Sequence, residues 1–174
     1  MVLPSVRILN GLAAATSISL ILLAILYLQN TLGLPPCPLC IFQRIGFMAV
    51  ALVLLIAALH GPGTRGVRVY GGLLLVAGLV GAGVALRHLW LQWSPPTTVA
   101  ACGPGLQFML DNYALSDALN AVFQGSGDCS DQHWSFLGFS IPGWSLIWFM
   151  LFSAYGALLA LWGHVVPPAR QRSD

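Results

Sequence analysis

Two cysteines, Cys37 and Cys40, stand three residues apart in the stretch PPCPLCIFQR, with Pro35, Pro36 and Pro38 around them and Arg44 four residues past the second. A Cys-x-x-Cys pair can be half of a zinc site, a haem attachment or a redox couple. Haem attachment needs a histidine directly after the pair, and Ile41 is there instead. A zinc site would have to borrow Cys102, Cys129, His88 or His133, and no resident metal is expected. Local context favours the redox couple. Cys40 falls at the start of an apolar run that reads as a helix, where free backbone N–H groups and the helix dipole favour negative charge. Arg44 follows one turn later on the same face. Both features favour the thiolate, the form that attacks disulfides. Arg44 also has a plainer reading, a side chain snorkelling to a membrane edge. An ionisable group inside an apolar segment is nonetheless a functional candidate.

Cys102 and Cys129 lie farther along, among Gly103, Gly105, Gly125 and Gly127. Alone they would read as a staple closing a loop. Beside a pair poised for exchange, they suggest transfer of a disulfide between dithiols. Four cysteines allow three pairings, and the sequence does not choose among them. Each dithiol oxidised releases two electrons, which need an acceptor. There is no Rossmann glycine pattern and no haem motif. The apolar setting of Cys40 points to an acceptor dissolved in lipid, a membrane quinone.

The elements that must position these residues follow from composition. The 174 residues are 57% hydrophobic and 7% charged, with no Lys and no Glu. Soluble domains carry roughly 25% charged residues. The net charge of +2 gives no basis for nucleic-acid binding. Apolar runs at 9–28, 41–59, 69–86 and 141–162 are each near the ~20 residues that a bilayer requires. They predict an all-α membrane protein, one four-helix transmembrane bundle over residues 1–174. The first run is too long for a signal h-region and reads as a retained helix.

Arg7, Arg65, Arg68, Arg170 and Arg172 flank one side, which places both termini in the cytoplasm. The 29–40 turn, the long loop 89–140 and all four cysteines then face outward, where disulfides persist. In that loop Leu106, Met109, Leu110 and Tyr113 repeat at helical spacing. They predict a short amphipathic helix within 106–123, lying in the headgroup plane or packed on the bundle top. Gly71, Gly72, Gly78, Gly81 and Gly83 read as helix-packing positions. Trp90, Trp93, Trp144 and Trp148 read as an aromatic belt.

PPCPLCIFQR, together with GSGDCSDQHWSFLGFSIPGW at residues 125–144, resembles the disulfide bond formation protein B (DsbB) family. The resemblance covers most of the chain and is loose in helix 1, around Cys102 and in the tail. It implies four helices in a bacterial inner membrane and two periplasmic disulfides, Cys37–Cys40 near the membrane and Cys102–Cys129 in the loop. It implies that Cys102 engages a DsbA-type thioredoxin-fold partner, and that Cys40 passes electrons to ubiquinone or menaquinone. Arg44 matches the family arginine that supports quinone and thiolate. His88 matches a histidine near the quinone, and reads equally as a residue capping a helix end. Gln43 stands where some members are acidic. Two rival readings remain: a non-enzymatic tetraspan protein with a stapled loop, and a related quinone-linked thiol reductase.

Overall fold

The computed structural model describes residues 6–33, 36–93 and 135–162. Helix α1 spans Val6–Leu22 and continues as a π-helical segment over Leu23–Thr31. Helix α2 spans Pro38–His60, α3 spans Thr64–Trp93 and α4 spans Ile141–Trp162. A small antiparallel hairpin, β1 at Ser135–Phe136 and β2 at Phe139–Ser140, leads directly into α4. Four helices are long and apolar enough to cross a membrane. Leu12, Leu52, Val76 and Leu158 are each more than half exposed, a surface suited to lipid rather than water. The chain is an all-α, multi-pass membrane protein.

The first three helices run farther than composition indicates. The second begins at Pro38 rather than at residue 41, so the Cys-x-x-Cys pair forms its first turn. Proline suits that first position because its missing N–H would have no helical partner. The third continues past residue 86 to Trp93, which places His88 and Gln92 on a rigid helix. Residues 94–134 of the loop, including the expected helix within 106–123, lie outside the described residues. So do Arg170 and Arg172.

The core forms where Phe47 of α2 stacks on Phe149 of α4, with ring centroids 4.2 Å apart. Val50, Leu54, Leu74 and Ala85 close around this pair. The most extensive helix pairing joins α3 to α4. It depends on glycine: a Cβ on Gly71 would lie 2.6 Å from Ala160 N, and one on Gly156 would lie 2.6 Å from Leu75 N. Gly78 abuts Ser153, and Gly81 leaves room for the Phe149 ring. Gly72 and Gly83 have open space before them and take no part in the seam. Polar links add to the packing: Ser17 Oγ donates to Phe47 O at 2.9 Å, and Tyr155 OH donates to Asn10 Oδ1 at 2.7 Å.

The bundle has two chemically distinct ends. At one, Arg7 lies beside Gly61, the left-handed C-cap of α2, where a cation meets the negative end of the helix dipole. Arg65 and Arg68 occupy the start of α3 at that same end. At the other end sit the cysteine pair, His88 and the hairpin. Leu137 (φ 52°) and Gly138 (φ 82°) make the hairpin turn, and left-handed geometry at both central positions is the form that matches strand twist. Trp144 Nε1 donates to Phe136 O at 3.1 Å, and Ser140 Oγ donates to Gln92 Oε1 at 2.9 Å. Trp90 and Trp93 are exposed, as a belt requires. Trp148 instead turns inward against Phe152.

Candidate redox site at the start of helix α2

Cys37 is the N-cap of α2. Its backbone is extended (φ −68°, ψ 162°), and its sulfur accepts a hydrogen bond from Cys40 N at 3.3 Å. A side chain that accepts from the third helical N–H satisfies one of the free donors of a helix start. Serine or aspartate usually fills this role, and here a cysteine does. The helix N-terminus therefore favours negative charge at Cys37 as well as at Cys40. Position in the sequence had assigned that effect to Cys40 alone.

The Sγ atoms of the pair lie 2.9 Å apart. A disulfide needs about 2.05 Å, so closing the bond takes a shift of about 1 Å. Cys37 is buried against Leu39 and Leu91, and Cys40 is half-buried. The pair thus joins one buried cysteine to one half-buried cysteine packed against the same cluster.

His88 completes the cluster from α3. Its Nε2 lies 3.7 Å from Cys37 Sγ, and its Nδ1 lies 3.0 Å from Gln43 Nε2. Both Gln43 and His88 are 3% exposed, so the ring is fixed at both nitrogens in a dry setting. The ligand atoms of Cys37, Cys40 and His88 all lie within 4.8 Å of one another. His88 is therefore more than a helix-end cap. Gln43 has a positional role that the sequence did not reveal, because its partner is 45 residues away.

Arg44 points elsewhere. Its Nη1 donates to Gln29 Oε1 at 2.8 Å, and its Nη2 donates to Ala24 O at 3.4 Å. Both acceptors belong to the π-helical segment. Wide π turns recur at functional sites, and this one brings Gln29 round to face α2. The described hydrogen bonds of Arg44 thus tie it to α1, although helical spacing suggested Cys40. Cys102 and Cys129 lie outside the described residues.

The arrangement can cycle between dithiol and disulfide at the edge of an apolar bundle. A family model described as "Disulfide bond formation protein DsbB" matches residues 6–160. The Disulfide bond formation protein B of Aromatoleum aromaticum is 52% identical over 77% of this chain and 80% of its own length. That of Saccharophagus degradans is 51% identical over 85% of this chain and 89% of its own length. That of Methylococcus capsulatus is 47% identical over 93% of this chain and 98% of its own length. A match this long, on a helical membrane scaffold with a thiol pair at one helix start, settles the relationship: the chain belongs to the DsbB family of disulfide bond formation proteins.

Proposed function

We propose that this protein is a quinone-dependent thiol oxidase. It would take two electrons and two protons from the dithiol of a DsbA-type thioredoxin-fold protein, leaving that partner with a disulfide. The reading rests chiefly on one observation, two cysteine sulfurs 2.9 Å apart in the first turn of a helix long and apolar enough to span a membrane. In this scheme Cys102–Cys129 exchanges first with the partner, through a mixed disulfide at Cys102. The resulting dithiol then reduces Cys37–Cys40, and Cys40 is the exit because it is the more open of the two sulfurs.

The residues at this end fit a bound quinone. Arg44 offers a half-buried guanidinium at the junction of α1 and α2, and His88 is fixed nearby on α3. These residues, with Cys40, would hold the quinone, which supplies the final two-electron sink. Arg44 would orient a carbonyl oxygen by donating to it. The Cys37 sulfur keeps its cap contact with Cys40 N, which holds the pair in register.

The same scheme places the protein in a bacterial inner membrane. Arg7, Arg65 and Arg68 gather at the end opposite the cysteines, and the positive-inside rule makes that end cytoplasmic. The thiol pair then faces the periplasm, the side on which disulfides are made.

The test combines the purified full chain, a reduced DsbA-type protein and a soluble quinone. Partner thiols and quinone absorbance are followed together. Equimolar loss of partner dithiol and quinone is expected. Thiol loss independent of quinone, or none at all with a folded protein, would sink the proposal.

A further inference from the structure

Cys37, Cys40 and His88 form more than a redox pair with a neighbour. Two sulfurs and one imidazole nitrogen converge within 4.8 Å. We propose that the reduced pair and His88 bind a thiophilic divalent cation of the zinc and cadmium class, and that oxidation of the pair abolishes the site.

Three observations carry this. First, the spacing of Cys37 and His88 is close to that of a tetrahedral centre. Metal–sulfur bonds of ~2.3 Å and metal–nitrogen bonds of ~2.05 Å put a sulfur and a nitrogen about 3.6 Å apart. The Cys37 Sγ to His88 Nε2 distance is 3.7 Å. The same geometry separates two sulfurs by about 3.8 Å, against 2.9 Å here. Cys40 Sγ, within 4.8 Å of the other two ligand atoms, must therefore move about 1 Å away from Cys37 Sγ while keeping His88 in reach.

Second, the outer partner of a metal-bound histidine is already built. Ligating histidines almost always hydrogen-bond through their other ring nitrogen, which fixes tautomer and orientation. His88 Nδ1 meets the Gln43 amide at 3.0 Å. An amide can present its oxygen to an N–H there, which leaves the Nε2 lone pair aimed at the sulfurs. Third, the helix N-terminus that favours thiolates in the redox reaction also favours them as ligands.

The chemistry balances without electron transfer. Two thiols and one divalent cation give two metal–thiolate bonds and release two protons. A disulfide cannot do this, so the cation selects the reduced state. While bound, it occupies both sulfurs, so Cys40 cannot act. This arrest of turnover rests on the oxidase reading above, whereas the binding does not.

The test uses the full chain in detergent, with Cys102→Ser and Cys129→Ser to confine binding to this site, and Co²⁺ as the probe. Tetrahedral cobalt–thiolate absorbance at one ion per reduced chain is expected, with none after oxidation by diamide. His88→Ala is expected to weaken binding at least ~10-fold and Gln43→Leu by ~10-fold, the scale of an outer-shell loss. Binding that survives His88→Ala undiminished, that persists in the oxidised protein, or that is absent at millimolar cobalt overturns the proposal. Quinone turnover of the unsubstituted chain is measured alongside, with and without Zn²⁺. Absence of metal-free turnover would refute the oxidase reading and leave the binding result standing.

Discussion

The Gln43 amide and the His88 imidazole meet at 3.0 Å across the α2–α3 interface, each 3% exposed. A buried polar pair of this kind is costly to break, since the orphaned group keeps its desolvation penalty. Gln43→Leu is expected to lower stability in detergent by ~1–3 kcal/mol. Gln43→Glu, which can still accept from Nδ1–H, should recover most of it. Denaturant unfolding of the three proteins checks this, and equal midpoints would remove the pair from any structural role.

The cap at Cys37 separates stability from chemistry. Cys37→Ser keeps an acceptor for Cys40 N, whereas Cys37→Ala removes it. Loss of an N-cap side chain costs ~0.5–2 kcal/mol. Both variants should be inactive with quinone, yet only the alanine variant should unfold measurably earlier. Thermal melts side by side with turnover give the answer.

Arg44 and Gln29 should act together on quinone use. Arg44→Ala is expected to raise the apparent KM for quinone well above its effect on partner KM. Gln29→Leu should shift the same constant in the same direction by less, because Ala24 O still holds the guanidinium. An unchanged KM and rate in Arg44→Ala would return this residue to a snorkelling role.

The α3–α4 seam distinguishes glycines that look alike in sequence. Gly71→Val and Gly156→Val put side chains against backbone at 2.6 Å, and overpacking costs ~1–3 kcal/mol or more. Gly72→Ala and Gly83→Ala meet nothing within 4 Å and should leave unfolding nearly unaltered. Comparable losses at all four positions would contradict the seam.

Removing the Tyr155 hydroxyl probes the polar links inside the bundle. Tyr155→Phe leaves Asn10 Oδ1 without its 2.7 Å donor. Interhelical hydrogen bonds in membranes average ~0.6 kcal/mol, so a small but measurable loss of stability is expected by the same unfolding assay.

The spans were legible because hydropathy is a sum over twenty residues and tolerates errors at either end. Their ends were less so. Pro38 reads as a breaker, yet it opens α2 because the first turn needs no N–H from it. The π turns of Leu23–Thr31 have the same apolar composition as ordinary helix, so no pattern marks them. The Ser135–Ser140 hairpin turns on Leu137-Gly138, and leucine is no signal for a left-handed residue. In the site, Cys37, Cys40 and Arg44 were visible from spacing on one helix. The partners of Arg44 and His88 depend on how three helices are rotated against one another, which local spacing does not encode. Packing at Gly71, Gly78 and Gly81 was anticipated from small size, but Gly72 and Gly83 are just as small and face away.

The Gln92–Ser140 hydrogen bond has a consequence for reach. It clasps together the two ends of the segment that holds Cys102 and Cys129. Cys102 follows Gln92 by ten residues, and Cys129 precedes Ser140 by eleven. At no more than ~3.6 Å per residue, these covalent leashes end at about 36 and about 40 Å from the clasp, whatever path they follow. In the proposed scheme, exchange between the loop cysteines and Cys37–Cys40 would be intramolecular and first-order, independent of how dilute the protein is in its membrane.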